Sequence, residues 1–473
     1  MATENTHFGA EAIAEMLRNV NSVFFIGIGG INMSSLAHIT HLRGFRTGGS
    51  DRCRTSLTDK LTAAGIEISY EHNAKNVRGY GAVVYTVAIS NDNPEYLEAK
   101  RLGIPCISRA DYLGYIMTGY KNRIGVSGMH GKSTTTSMCA ETFMLAGADP
   151  TVLSGAELTS MGGAYRVGTD EHFIFEACEY MDSFLDFNPS IAIILNIEMD
   201  HVDYFHSIEQ IRESFLRFAS LTGKNGYTVA NGDDENVKIA LKGYTGAVVT
   251  FGIENKDCDF IAKNISIENG FYSFDVFEYG ECFCHISLSV SGYHNVYNAL
   301  ATVSAAKLCG LGKEDIERGL KAFCGASRRM EYKGMLGGAR VYDDYGHHPT
   351  EISTTLLGAR SLCAKGGRLL CAFQSHTYTR TKEFLDEFVS ALSLADRVYS
   401  VDIYSARETD TLGVSAELIA DMLGSEKGRY CPSFENTAKA ICEEAREGDV
   451  VVVMGAGDIY KVFSYLDGKL EKN

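Results

Sequence analysis

A lysine and a serine that follow closely spaced glycines in "GVSGMHGKSTTTSM", Gly125 to Met138, are the residues of this chain best suited to handle a phosphate. The usual phosphate loop reads G-x-x-x-x-G-K-[ST]. Counting back from Gly131 reaches Val126, with glycines on either side at Gly125 and Gly128, so the loop is irregular. At a strand-to-helix junction, the amides from Gly128 through Met129 and His130 to Gly131, the helix dipole and the Lys132 ammonium converge on one anion, while the Ser133 hydroxyl reaches Mg2+. Thr134, Thr135 and Thr136 extend the first turn, where hydroxyls add phosphate contacts and β-branching brings no helical advantage. The alternative is a glycine-rich loop beside a solvated lysine.

A metal needs carboxylates. Glu176 and Glu179 end the apolar run "HFIFEACE", and a buried glutamate must find a cation or emerge at the strand end. Glu176 reads as a metal ligand or as half of a salt bridge. His201, in "NIEMDHVDYFH", reads as a satisfied loop histidine or as a ligand, and Asp200 and Asp203 beside it suit Mg2+ better than zinc. A second glycine turn, "SVFFIGIGGINMSS", places Gly27, Gly29 and Asn32 at the three glycine positions of G-x-G-x-x-G. The first two allow a tight turn and close approach of a pyrophosphate, whereas Asn32 removes the tight helix–strand packing. Asp51, at the expected end of the next strand, suits a ribose hydroxyl. The turn is a nucleotide site or a plain strand–turn–helix.

The elements that must carry these residues follow from the patterning. The first helix would turn Met33, Leu36, Ala37 and Leu42 inward. "AVVYTVAIS" and "GIPCIS" continue a parallel strand rhythm, and "NRIGVSG" opens a fresh strand–loop–helix unit. Apolar runs ending in acids and a histidine are buried parallel strands, whose ligands lie beyond their carboxyl ends. From Gly226 to Val290 the pattern alternates, as in an antiparallel hairpin. "ARVYDDYG", "RLLCAF", "RVYSVDIY" and "DVVVVMGAG", separated by helical stretches such as "TKEFLDEFVSALSLA", form a last α/β unit. The expectation is an α/β chain of three domains: a Rossmann-like domain over 1–119, a central P-loop ATPase domain with a parallel sheet and a small antiparallel hairpin region over 120–326, and a Rossmann-like α/β domain over 327–473.

Composition excludes several classes. Length alone, 473 residues, suits about three domains of roughly 150 residues. The formal net charge of −16 gives no long-range pull toward nucleic acid or an anionic membrane, so an anionic ligand must be held by local features. Thirteen scattered cysteines form neither a zinc knuckle nor a C-x-x-C pair and read as reduced. No stretch approaches about 18 apolar residues, and the N-terminus has no signal-peptide core, so a cytoplasmic protein is expected.

Taken together, Gly128 to Ser133, "FEACE", "NIEMDH", "GYHNVYNALA", "SRRMEY", "DDYGHHPTE" and "GAGDIY" resemble the ATP-dependent Mur ligases over nearly the whole chain. The resemblance implies a ligase that uses ATP and Mg2+, acts on UDP-N-acetylmuramic acid and L-alanine in peptidoglycan precursor synthesis, and works as a monomer or homodimer. It implies that Lys132 binds the γ-phosphate, that Ser133 and Glu176 hold one Mg2+ and His201 a second, that Asn295 and Asn298 hold the adenine, and that Arg329 reaches the phosphates. Asp344 would orient the ribose side of the nucleotide. Tyr345, His348, His376 and Arg380 would face the amino acid and the acyl phosphate, with His348 in the chemistry. Gly27, Gly29, Gly30, Ser50 and Asp51 would bind the UDP moiety.

Departures from the family pattern are Asn32 and Ser35 for glycines, Ser375 for a usual proline, and Cys178 and Met181 where acids are frequent. Phe215 stands where related ligases carry a carbamylated lysine. "DDYGHHPTE" favours the alanine-adding branch over the recycling branch that joins the same UDP sugar to a tripeptide. A nicotinamide oxidoreductase would need an intact dinucleotide turn in the first domain, folylpolyglutamate synthetase lacks a comparable first domain, and a non-catalytic nucleotide sensor would not need Lys132, Ser133, Glu176 and His201 together.

Overall fold

The computed structural model describes residues 3–202, 204–406, 408–409 and 411–471; the expected acid Asp203 lies outside the described residues. By backbone packing the chain divides into two units. One comprises Met1–Glu198, Ile208–Thr250 and Ser304–Leu311, the other Met199–Ser207, Phe251–Val303 and Gly312–Asn473. No helix among the described residues is long and apolar enough to cross a membrane.

The first unit opens with five short strands, β1 (Ser22–Ile26), β2 (Arg46–Ser50), β3 (Glu67–Ser69), β4 (Ala82–Tyr85) and β5 (Cys106–Ser108), all parallel in the order β3-β2-β1-β4-β5. β1 and β4 are buried along their whole length, as apolar strands covered by helices on both faces must be. The order reverses beside β1, which opens a crevice beyond the strand ends. In the helix Ile31–Leu42, Met33, Leu36 and Ala37 are buried as expected, but Leu42 is 60% exposed because the helix ends there and leaves the sheet.

Ten further strands follow: β6 (Asn122–Ser127), β7 (Thr151–Leu158), β8 (Gly163–Arg166), β9 (His172–Glu176), β10 (Ile191–Ile194), β11 (Tyr227–Asn231), β12 (Ala247–Gly252), β13 (Phe260–Glu268), β14 (Phe271–Glu278) and β15 (Glu281–Ser291). The first unit holds β12 as far as Thr250 and then the run β11-β10-β6-β9-β7-β8, with β6 central. β6 pairs in parallel with β9 and β10, and β8 turns back antiparallel on β7. Phe215, on the helix Ile208–Ser220, is fully buried against Phe184, with ring centroids 5.3 Å apart. Its burial contributes about 1.5–3 kcal/mol and leaves no room for a charged group at that position.

The stretch read as alternating from Gly226 onward is two different structures. Tyr227–Asn231 and Ala247–Gly252 bracket the helix Glu235–Ala240, whereas the antiparallel part begins at β13 and has three strands. Period-two alternation marks a half-solvated sheet, whereas three successive residues of β11, Thr228 to Ala230, are buried, so both faces of the strand are covered and it does not alternate.

The second unit also contains β16 (Glu331–Leu336), β17 (Ala339–Asp344), β18 (Leu369–His376), β19 (Arg397–Tyr404), β20 (Gly428–Tyr430) and β21 (Val450–Met454), in the order β16-β17-β21-β18-β19-β20. Among the described residues of this sheet, only β16 runs antiparallel to its neighbour. The four strands expected from the sequence are β17, β18, β19 and β21; β16 and β20 are edge strands with little buried surface and a weak apolar signature. The long helical stretch "TKEFLDEFVSALSLA" breaks at Phe384 into Tyr378–Glu383 and Leu385–Leu392.

Candidate active site

The phosphate loop joins β6 to the helix Lys132–Leu145, with Gly128 at φ 139° and Gly131 at φ 85° as the helix N-cap. Both lie where L side chains are disfavoured, and a Cβ on Gly128 would come within 2.9 Å of Leu195. Asn196, just beyond β10, clamps the loop: its Oδ1 accepts the His130 N–H at 2.8 Å, its Nδ2 donates to the His130 carbonyl at 3.0 Å, and its own carbonyl accepts the Met129 N–H at 3.3 Å. Sequence reasoning missed Asn196, although a polar residue ending an apolar strand was the signal for it.

Lys132 curls back over this loop. Its Nζ donates to the carbonyls of Gly128 at 2.6 Å and Met129 at 3.1 Å and lies 3.0 Å from Oε1 of Glu179, which is fully buried. Burial works against the ammonium, but Glu179, Cys178 and Glu176 together hold its pKa above the ordinary lysine value. Ser133 Oγ donates to Glu176 Oε2 at 2.8 Å, and Gly155 N–H reaches the same oxygen at 3.0 Å. A hydroxyl and a carboxylate on one oxygen-rich spot beside a phosphate loop fit Mg2+. Of the threonine run, Thr134 is half-buried, whereas Thr135 and Thr136 are fully buried, so the last two serve the core and offer no hydroxyl to a phosphate.

The first glycine turn is fastened to the end of β2. The Ser50 carbonyl accepts N–H bonds from Gly27 at 2.8 Å and Ile28 at 2.9 Å, and Asp51 Oδ2 accepts the Gly29 N–H at 2.8 Å. A Cβ on Gly29 would meet that same carboxylate oxygen at 2.8 Å. Asp51 therefore shapes the turn, and Gly30 caps the helix that follows. Asn32 is exposed and does not interfere with the packing of that helix.

The second unit gathers most of the remaining candidates. Arg329 sits between two residues with left-handed backbone, Arg328 at φ 56° and Met330 at φ 50°. Such strain persists only where surroundings over-determine it. Here Glu331 accepts the Arg328 N–H at 2.9 Å, Asp344 accepts the Met330 N–H at 2.9 Å, and the Arg328 guanidinium lies between the rings of Tyr345 and Tyr460. Asp344 also accepts the Gly346 N–H at 2.8 Å; burial pushes its carboxyl up while Arg329 and these amides pull it back. Tyr345 carries the Arg329 guanidinium 5.2 Å from its ring centre.

His348 is the N-cap of the helix Pro349–Arg360, its Nδ1 accepting from Thr350 N–H at 3.4 Å, and its ring packs on Phe384. That nitrogen is committed to the helix start. His376 stacks on Tyr404 at 5.5 Å. Arg380 is bound to Asp200, with 3.0 Å between guanidinium and carboxylate. Asp200 also accepts the His201 N–H at 2.6 Å; burial alone would push its carboxyl up, but Arg380, His201 and His348 hold it well below the usual carboxylate range. Asp200 thus positions an arginine, which the expectation of a metal-suited acid did not foresee. Asn295 and Asn298 lie buried at the start of the helix His294–Leu308, Asn295 donating to the Ser291 carbonyl at 2.7 Å and Asn298 to Asn295 Oδ1 at 2.9 Å. Two residues went unremarked in "DDYGHHPTE". Glu351 accepts the His347 N–H at 3.0 Å, and His347 is held neutral, its pKa lowered to about 4 mainly by burial.

Three family models match the chain: the Mur ligase family catalytic domain over residues 22–121, the Mur ligase middle domain over 126–306, and the Mur ligase glutamate ligase domain over 328–457. A UDP-N-acetylmuramate–L-alanine ligase of Acetivibrio thermocellus is 46% identical over 444 residues, covering 93% of this chain and 94% of that protein. Its counterpart of the same name in Clostridium tetani is 42% identical and covers 94% and 98%. Among solved structures, the UDP-N-acetylmuramate-alanine ligase MurC of Thermotoga maritima superposes with a TM-score of 0.78 at 27% identity, covering 94% of this chain and 98% of that one. A murein peptide ligase of Psychrobacter arcticus, at 23% identity and a TM-score of 0.67, shares the fold. With family models spanning most of its length and relatives above 40% identity over more than nine-tenths of it, the chain belongs to the Mur ligase family.

Proposed function

We propose that this protein joins L-alanine to the lactyl carboxylate of UDP-N-acetylmuramic acid at the expense of ATP, through an acyl phosphate. The observation that carries the reading is the joined pair of contacts at the phosphate loop, Lys132 on Glu179 and Ser133 on Glu176, in a chain whose relatives at 42–46% identity are named for that activity. A carboxylate oxygen attacks the γ-phosphorus, ADP leaves, and the alanine amine then attacks the acyl carbon, releasing phosphate. The first step brings anions together, so it needs a fixed cation and oriented amides where charge develops. Lys132 and the amides of Gly128 to Gly131 supply both. Ser133 and Glu176 would hold Mg2+, which when bound neutralises charge on the β- and γ-phosphates.

In the second unit, Asn295 and Asn298 would receive the adenine, Arg329 the phosphates, and Arg380 with His376 the amino acid, with His201 as ligand to a second Mg2+. In the first, the turn Gly27 to Gly30 with Ser50 and Asp51 would take the UDP moiety. The domain limits 1–119, 120–326 and 327–473 follow the same division of labour. The cytoplasm is the compartment where this reaction has its substrates.

Phosphate release from ATP, measured with UDP-N-acetylmuramate and each amino acid in turn, tests the reading. Release with alanine is expected. Release with a tripeptide and none with alanine would move the protein to the recycling branch.

A further inference from the structure

The turn that carries His376 and Arg380 is strained, and it is held by residues that the proposed reaction does not use. A single residue, Thr377, joins the end of β18 to the helix Tyr378–Glu383, and it does so at φ 67°. Positive φ is an outlier for a β-branched residue and persists only where several contacts over-determine it. Three sets of contacts do so here. In the first, the Thr377 N–H donates to the Tyr404 carbonyl at the end of β19 at 2.8 Å, and the Thr377 hydroxyl accepts the Arg380 N–H at 3.4 Å.

The second is a relay of buried hydroxyls. Thr381 Oγ1 donates to the Thr377 carbonyl at 2.7 Å, and Ser375 Oγ lies 2.6 Å from that same Thr381 oxygen. A hydroxyl has one hydrogen, so Ser375 is the donor and the order runs from Ser375 through Thr381 to Thr377. Both side chains are buried. Bonds in such a relay polarise one another, and loss of either hydroxyl leaves a buried group without its partner. Ser375 sits where the register of β18 against β19 shifts, between Gln374 and His376, so the strand is already irregular at this point. The departure from the family pattern at position 375 is thus the residue that starts the relay.

The third is Glu408, whose own N–H donates to the Ser405 carbonyl at 2.8 Å just past β19. Its Oε2 accepts the N–H of Tyr378 and, at 3.1 Å, that of Thr379. Held in this way, the turn leaves His376 Nδ1 and Arg380 Nη1 3.5 Å apart. We infer that Ser375, Thr381 and Glu408 are positioning residues for the amino acid substrate: by keeping Thr377 at positive φ they fix the spacing of the His376 imidazole and the Arg380 guanidinium, whose planar fork suits a carboxylate. The inference rests on the reading of His376 and Arg380 as the amino-acid end of the site.

Steady-state kinetics of the full-length protein, with alanine, ATP and UDP-N-acetylmuramate varied in turn, test it. Thr381→Val keeps the shape and removes the hydroxyl; it should raise the KM for alanine about tenfold, with kcat within about threefold and the other two KM values within about twofold of wild type. Thr381→Ser restores the hydroxyl and should restore the alanine KM. Ser375→Ala should resemble Thr381→Val, and the double variant should be no worse than the poorer single one, since both act through one relay. Glu408→Ala should raise the alanine KM severalfold. An unchanged alanine KM in Thr381→Val, or an equal rise in all three KM values, overturns the proposal; where Thr381→Val fails to fold, an unchanged alanine KM in Glu408→Ala does so. Arg380→Lys separates the two readings. A raised alanine KM there, with none in Thr381→Val or Glu408→Ala, would sink this inference alone, whereas an unchanged alanine KM in Arg380→Lys would remove Arg380 from the amino-acid site and this inference with it.

Discussion

Lys132 Nζ lies 3.0 Å from Oε1 of Glu179, and the same ammonium donates to two carbonyls of its own loop. The lysine is thus held within its own phosphate loop by a buried carboxylate and the loop backbone. If the loop takes the ATP phosphates as proposed, a phosphate would replace those acceptors with a more strongly charged one.

Lys132→Ala should lower turnover by about 10²–10³ or more, because a charge at the developing transition state is lost. Affinity for the UDP sugar should change less than about twofold, since Gly27 to Asp51 lie on a different sheet. The variant should also be less stable by about 3 kcal/mol, as Glu179 is left buried without its cation. Phosphate-release assays, calorimetry and urea unfolding measure the three effects; unimpaired release would remove this loop from the chemistry.

Asp51→Ala should weaken UDP-sugar binding by about tenfold or more and leave ATP binding unchanged. The carboxylate both accepts the Gly29 N–H and fills the space that keeps position 29 a glycine, so its loss frees the turn. The opposite pattern in calorimetry would exchange the roles assigned to the two glycine loops.

Asp200→Asn should raise the KM for alanine severalfold while leaving the KM for ATP near its wild-type value, because Arg380 loses the charge that orients it. Both groups are largely buried, so the variant should also lose about 3 kcal/mol in denaturant unfolding. Restoring neither charge nor geometry, Arg380→Ala should be no better. An Asp200→Asn enzyme with unchanged alanine kinetics would confine the pair to stability.

Acid should destabilise the protein in a defined window. Burial lowers the pKa of His347, despite Glu351 beside it, and that of His294, near Arg329, each to about 4. Above about pH 6.5, native and unfolded rings are both neutral, and pH has no effect through them. Between about 6.5 and 4 the unfolded rings take up protons that the native ones refuse, so stability falls as pH falls, by at most about 3 kcal/mol per ring, and levels off below. Urea unfolding at several pH values should show this slope, and His347→Gln should flatten it. A slope of the opposite sign, or one that His347→Gln leaves unchanged, would rule out a neutral buried ring.

Local patterns in the chain determined the phosphate loop, the parallel strands and most of the polar residues at their ends, because buried parallel strands are continuous apolar runs and glycines at positive φ are almost obligatory. Lys132, Ser133, Glu176 and Glu179 were legible for that reason. Which polar groups face each other was decided only by the tertiary structure. Asp200 was adjacent in sequence to His201 and read as a metal-suited acid, yet it binds Arg380 from a strand–helix junction 180 residues away. Thr135 and Thr136 carry the same hydroxyl as Thr134 but turn into the core, since a helix rotates each successive residue by about 100°. Ser50 was read only as part of the first glycine turn's site, and its buried partners Glu95 and, beside it, His72 gave no motif at all. They come from three different crossovers and meet only because parallel strands place all their carboxyl ends on one edge, so the network exists in the order of strands and nowhere along the chain.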